Sequence, residues 1–394
     1  MKPQMDERKT IAESRLLFGK GKNMYLGVWT ACVVLAIIGV AQMAWSEEPP
    51  IKTVSAFYVG NWMQDGAMPM FHPALGKSEG KEWNAAAVSG LRLTPYMCLY
   101  AFKNDWTYNG RATWSSFGIK PLKDVFSNHP WTVLVAQPYG WMGLHRNRAE
   151  MGIWMTDELQ GTLGIEDFGD VEGIVQLYTL FQKQHPEIEL VVFQSWPELP
   201  LKQGPDGAPV MEETPAGPNA APDREGFDYV KHWETVRYQP ELKETGHSWQ
   251  TRDYSERLMR ELAERLPELA KAGKLRCAPV GEVFNALEKK IRAGALPGVT
   301  GVTSFYTDRS HLRAGLPRYV AAATLYAVLF KEKPNILTPT IFNDLNAYRT
   351  IDWRFCPYEP HLSPLIPITA ENAAVVNDTI WEIVSKYSTQ HNIK

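Results

Sequence analysis

The chain has 394 residues, a formal charge of -3 and 44% hydrophobic residues, which describes a globular protein able to bury a large core. Its 41 basic residues nearly balance 44 acidic ones, so the charge gives no footprint for nucleic acid. Fourteen tryptophans is a high count. Trp62, Trp106, Trp114, Trp141, Trp154 and Trp249 fall in loop-like stretches, where their faces either line a ligand groove or fill the seams of a loop-rich domain.

At the N-terminus Arg15, Lys20 and Lys22 precede a hydrophobic run from Met24 to about Ala44, and Ala44-Trp45-Ser46 places small residues where an export peptidase would cut before Glu47. The run is also nearly long enough to span a bilayer with its basic end inside. Residues 1–46 therefore read as a signal peptide or an N-terminal membrane anchor. The expected location is outside the cytoplasm, whether periplasmic, secreted or anchored, with membrane contact through this segment alone. Cys32 lies in it, which leaves Cys98, Cys277 and Cys356. Three cysteines cannot all pair within the chain. Cys277, in an apolar run, reads as a buried thiol, and Cys98 with Cys356 is the one pairing to test. No CxxC or His-x-x-x-His spacing points to a metal, and no cofactor is expected.

Beyond the leader, strand-like and helix-like runs alternate. Thr53–Val59 is rich in β-formers and stops at Gly60. Trp131–Ala136, Ile188–Phe193 and Leu275–Val280 are short apolar runs of the kind expected of strands buried on both faces. Between them, Val171, Ile174, Val175, Tyr178 and Phe181 make a helical stripe stopped by His185-Pro186. Leu258, Leu262, Leu266 and Leu269 make a second, ended near Gly273. Val283, Phe284, Leu287 and Ile291 make a third, with Gly294 as its C-terminal stop. Arg318 to Phe330 is apolar on nearly all sides, which suits a helix buried against a sheet. The alternation implies one domain, 47–394, with a parallel sheet and helices on both faces. The Pro/Gly/Asp-rich stretch from Lys202 to Gly226 reads as part of an exposed insertion near 202–250. Leu337 to Pro367 reads as a surface arm that begins the C-terminal segment 337–394, which closes with a helix from about Ala370 to Tyr387.

Ligands of doubly wound sheets sit beyond the carboxyl ends of the strands. Gly60-Asn61-Trp62, Gln137-Pro138-Tyr139-Gly140 and Ser195-Trp196-Pro197-Glu198 all stand at such ends, and Asp308-x-x-His311 precedes the apolar helix. An acid three residues before a histidine on such a loop is the general-base half of a hydrolytic triad. Glu198 and Asp157 read as surface acids. Arg309, Arg313 and Arg318 read as solvated or bound to loop carbonyls.

These blocks resemble the SGNH/GDSL hydrolases. The likeness is carried by Tyr58-Val59-Gly60-Asn61, Val133 to Pro138, Val192 to Pro197, and above all Asp308-Arg309-Ser310-His311 with Gly315 and Tyr319 downstream. It implies an α/β fold, a three-layer α/β/α sandwich with a mostly parallel, flavodoxin-like sheet. It further implies ester hydrolysis of a small-molecule or carbohydrate ester, with His311 as base and Asp308 as its orienting acid. By the same resemblance Gln137 takes the side-chain amide position of the oxyanion hole, Gly90 a backbone-donor position, and Asn61 a place in the cleft. The family's serine falls on Trp62, whose indole has neither an acidic hydroxyl nor a lone pair fit for acyl transfer. Three readings stay open: a pseudoenzyme with Trp62 lining a binding cleft; another group in its place, either Ser89 as nucleophile or Asp65 with His311 acting on water; or a shifted first block with a different serine.

Overall fold

The computed structural model describes residues 52–88, 94–103, 113–118, 120–139, 143–147, 167–214, 217–239, 250–350 and 364–390. Within them β1 (Thr53–Val59), β2 (Glu82–Val88), β3 (Trp114–Ser115), β4 (Val133–Ala136), β5 (Glu189–Gln194) and β6 (Leu275–Pro279) form one sheet in the order β6-β5-β4-β1-β2-β3. Every pairing is parallel except β2 with β3. The five parallel strands, counted along the chain, stand in the flavodoxin-like order, and the order reverses between β1 and β4. In open α/β sheets such a reversal marks the carboxyl edge between the two strands as the place where ligands bind.

Alternate residues of each strand feed opposite layers. Val54, Ala56 and Tyr58 of β1, with Val133, Val135, Val191 and Phe193, face one core. That core is closed by α2 (His72–Ser78), α6 (Tyr229–Thr235), α8 (Val280–Arg292), α9 (Leu316–Phe330) and α10 (Ala370–Gln390). Phe57, Val59, Leu134, Ala136, Leu190 and Val192 face the other, closed by α3 (Thr94–Lys103), α4 (Leu122–Ser127), α5 (Asp170–Gln184) and α7 (Arg252–Arg265). The fold is a three-layer α/β/α sandwich. The short α1 (Trp62–Asp65) starts where β1 ends.

Sequence-derived elements and structure agree for β1 and three of the four long helical stripes, and the apolar runs contain β4 and β6 and overlap β5. The Leu258–Leu269 stripe is split at Leu266 into α7 and a short helix Pro267–Lys271, because Pro267 has no N–H to continue the first helix. The helix α9 is buried along its whole length, as its all-round apolar pattern requires. It is entered through Gly315, whose φ of +86° and close approach to the Ile366 carbonyl, 2.1 Å from where a Cβ would stand, leave room for glycine alone. The strand β2 was not expected. Ala85, Ala86 and Ala87 have weak strand preference, and they pair because β1 and β3 supply the ladder on both sides. Of 202–226, Met211–Thr214 and Gly217–Ala220 form a hairpin, while the following α6 buries Tyr229 and Trp233 in the core. Cys98 carries a free, buried thiol in α3, against the suggested pairing; Cys356 lies outside the described residues. Cys277 is half-buried rather than fully covered, and desolvation by its surroundings pushes the thiol up to about 12. Among the described residues no helix is long and apolar enough to cross a membrane, and residues 1–46 lie outside them.

Beneath the sheet, His72 stacks on Trp83 with ring centroids 3.9 Å apart. Its Nε2–H donates to the Ala67 carbonyl at 2.7 Å, and its Nδ1 accepts from the Tyr58 hydroxyl at 2.9 Å. The same hydroxyl accepts from Trp83 Nε1 at 3.1 Å, so every polar atom in the cluster is satisfied with the imidazole neutral. Burial lowers the imidazole from 6.5 to about 3, outweighing the raising effect of the Ala67 bond. The unfolded chain therefore takes up this proton before the folded one does. His72 supports stability fully above about pH 6.5, and that support is lost as pH falls toward 3. Lowering the pH from 7 to 5 should cost about 2 kcal/mol through this group. Urea unfolding of the wild type and of His72→Gln across that interval should show the variant's pH slope flatter by this amount.

Candidate functional site

The crevice between β1 and β4 is held by a glutamine. Val59 pairs with Ala136 at the last rung, so the next residues, Gly60 and Gln137, leave the sheet side by side. Gln137 Oε1 accepts the N–H groups of Asn61 at 3.0 Å and Gln64 at 3.1 Å. Asn61 caps α1 by accepting the Met63 N–H on its Oδ1 at 2.9 Å. Gln64 folds back under the turn and donates to the Val135 carbonyl at 3.3 Å. Gly60 is obligatory there, because a Cβ would lie 2.2 Å from Gln64 Oε1. On the β4 side, the Tyr139 N–H donates to Asp170 Oδ1 at 2.8 Å, tying the loop after Gln137 to the first residue of α5. Gln137 is 1% exposed, and its Nε2 has no hydrogen-bond partner among the described residues. A buried amide donor therefore stands at the switch point with its own carbonyl fully engaged.

Asp308 and His311 form a bonded dyad. His311 Nδ1 lies 2.6 Å from Asp308 Oδ2, while Asp308 Oδ1 accepts the N–H groups of Ser310 at 2.8 Å and His311 at 2.9 Å. Burial raises the Asp308 carboxyl, but the His311 hydrogen bond and charge, with those two N–H groups, hold it below its ordinary value. A carboxylate on Nδ1 sets the tautomer with the proton on that nitrogen and leaves Nε2 as the basic atom.

The dyad loop is suspended from the turn after β5. Trp196 Nε1 donates to the Ser310 carbonyl at 2.8 Å, and the Leu199 N–H to the Arg309 carbonyl at 2.7 Å. Arg309 Nε returns a bond to the Leu199 carbonyl at 3.1 Å, and the Tyr306 hydroxyl donates to the Pro197 carbonyl at 2.8 Å. The same turn reaches α1. A Cβ on Gly66 would stand 2.8 Å from the Trp196 ring, and Gln250 accepts the Glu198 N–H at 2.6 Å while its amide lies 3.0 Å from Met63 Sδ. From α9, Arg318 donates to the Leu312 carbonyl at 3.0 Å and the Asp65 carbonyl at 3.3 Å. The structure thus brings the turns after β1, β4 and β5 and the dyad loop into one region at the carboxyl edge.

Of the residues singled out from sequence, Asn61 bonds to Gln137, Asp308 bonds to His311, and the Asp65 carbonyl is joined to the dyad loop through Arg318. Asp65 is 3% exposed. Trp62 opens α1 by its backbone, but its side chain is not among those described, and Ser89 and Gly90 lie outside the described residues. Asp157 lies outside them too. Glu198 is not the surface acid its sequence suggested: its side chain is 14% exposed and sits 3.4 Å from Arg309 Nη2. Burial raises its carboxyl, against the opposing charges of Arg309 and His311. Its position immediately after a strand-end Trp-Pro pair was the available signal. Gln250 gave none, since its partners lie 52 and 187 residues away. Among the described residues no group of three His, Cys, Asp or Glu side chains is arranged to hold a metal.

The class defined by fold and site is an α/β/α sandwich with a histidine–aspartate dyad at the carboxyl edge of its sheet. No family model matches the chain, and no curated protein does. Among solved structures it is similar to a DUF4886 family protein from Bacteroides uniformis, at 11% identity and a TM-score of 0.40, over 83% of this chain and 96% of that one. It is also similar to a gut microbial diltiazem-metabolizing enzyme, at 16% identity and a TM-score of 0.30, over 72% of this chain and 47% of that one.

Replacing Gln137 by leucine strands two buried N–H groups of the β1–α1 turn. The expected loss is about 2–4 kcal/mol in urea unfolding, with Gln137→Glu losing less because it keeps the acceptor.

Proposed function

We propose that this protein is an SGNH/GDSL-type ester-acting protein whose His311–Asp308 dyad serves as general base on an acylated small-molecule or carbohydrate ligand. The observation that carries the reading is the dyad itself, with Nδ1 and Oδ2 2.6 Å apart and the aspartate pinned by two backbone N–H groups. With tryptophan at position 62, the attacking atom is a water oxygen. His311 Nε2 takes one proton from that water as its oxygen bonds to the acyl carbon. The negative charge formed on the carbonyl oxygen is met by the Gln137 Nε2 amide. Collapse breaks the acyl–oxygen bond, the imidazolium returns its proton to the departing alkoxide, and acid and alcohol leave. The preference for a glycan ester rests on the aromatic-rich loops, and export rests on the leader 1–46.

A second reading is favoured by Trp62 itself: a catalytically inactive protein that binds a glycan or acyl ligand at the cell envelope. Hydrolysis of p-nitrophenyl acetate, butyrate and octanoate separates the two. The proposal expects slow turnover that falls about 100-fold or more in His311→Ala and in Asp308→Asn, the usual size of a general-base contribution. Trp62→Ser should raise turnover, and His311→Ala should remove the gain. Absence of any His311-dependent turnover on all three esters would sink the catalytic reading and leave the binding one.

A further inference from the structure

A cavity of about 460 Å³ lies alongside the edge strand β6, between the end of α9 and the C-terminal half of α10. It opens beside Gly273 and Leu275, at the amino end of β6, so it stands apart from the carboxyl-edge site. Its volume falls within the range of small-molecule sites. Leu275, Val328, Val384 and Trp381 give it an apolar body, and Arg276 and Lys331 are the two cations on its wall.

Charge around this cavity is accounted for one pair at a time. Glu189 pairs with Arg276, Glu332 with Lys52 and Lys81, Asp378 with Lys333, and Glu382 with Lys386. Lys331 is left without a counter-ion among the described residues. Nor do the carbonyls at the end of α9 require it: Arg276 Nη1 donates to that of Val328 and Lys52 to that of Phe330. Lys331 also holds φ +56° at the C-terminus of α9, a left-handed position where glycine is the unstrained choice. Beside it, Arg276 Nε is buried with no partner. An apolar slot with one unmatched cation and one orphaned buried donor is complementary to an amphiphile with an anionic head.

The geometry points to a second ligand site, for a medium-chain carboxylate whose tail lies against Leu275, Val384 and Trp381 and whose head meets Lys331 at the mouth. This site is independent of the dyad. Calorimetric titration of the full chain with sodium decanoate, kept below micelle formation, should show saturable one-to-one binding. Lys331→Glu, at an exposed position that does not threaten the fold, should weaken it tenfold or more. Decanol, with the same tail and no charge, should bind at least tenfold more weakly. Val384→Trp, which fills the slot, should abolish binding, and a melting curve shows whether that variant is folded. His311→Ala should bind as the wild type does, so failure here and failure of the esterase reading are told apart. No saturable heat with decanoate overturns the site, and equal affinity in Lys331→Glu or for decanol overturns its anionic specificity.

Discussion

Arg318 joins the core of this protein to its chemistry. Its guanidinium is 1% exposed, and its bonds run to the Leu312 carbonyl on the dyad loop and the Asp65 carbonyl at the end of α1, with Met68 Sδ beside it. A cation in the first turn of α9 stands against the helix dipole, and a buried charge costs several kcal/mol unless hydrogen bonds replace its water. The helix dipole thus works against this residue, and the convergence of two carbonyls, six and 253 residues away, makes it tolerable. Violations of local preference of this sort gather where a structure is committed to a site. Removing the side chain would take its hydrogen bond from the Leu312 carbonyl, leave the Asp65 carbonyl with the Met68 N–H alone, and release the dyad loop and α1 from their common anchor.

That anchor explains how four loops from separate parts of the chain hold side chains in register. Two of them are each fixed from two neighbouring elements. The β1 turn is held by Gln137 and by Arg318, and the dyad loop by Arg318 and by the Trp196–Leu199 turn. Gln250 then closes the circuit between the β5 turn and α1. Backbone carbonyls and N–H groups carry most of these links, so the geometry depends on few side-chain identities beyond Gln137, Trp196, Gln250 and Arg318. A loop-built site gains its precision from such supporting bonds rather than from the loops themselves.

The same distinction explains what the sequence disclosed. β1, β4 and β5 were legible because β-branched and aromatic residues crowd their buried faces, and α9 because its apolar residues run all round. β2 was not, since alanine carries no strand signal and its place is set by neighbours. Asp308 and His311 were legible because a three-residue spacing makes their contact local. Gln137 was legible as a strand-end residue, yet the use of its carbonyl as a cap for two N–H groups 73 and 76 residues away could not be read from spacing. Glu198 misled for a related reason. A carboxylate in a proline-containing turn ordinarily faces water, and only the return of the Arg309 loop covers it.

Trp62 concentrates the remaining tension. Holding Asp308 ionised in a mostly buried place has a desolvation cost, which the His311 contact and two N–H bonds offset. Holding Gln137 with a buried amide donor unmatched adds a cost with no offset among the described residues. The carbonyl of Gln137 is needed by the β1–α1 turn, but its unmatched Nε2 is not, so folding alone does not account for the amide. Gln137 lies at the switch point of the sheet, where a carbonyl-bearing ligand would supply an acceptor for its Nε2. The cost of the unmatched Gln137 amide is thus a feature of the switch point itself, independent of what stands at position 62.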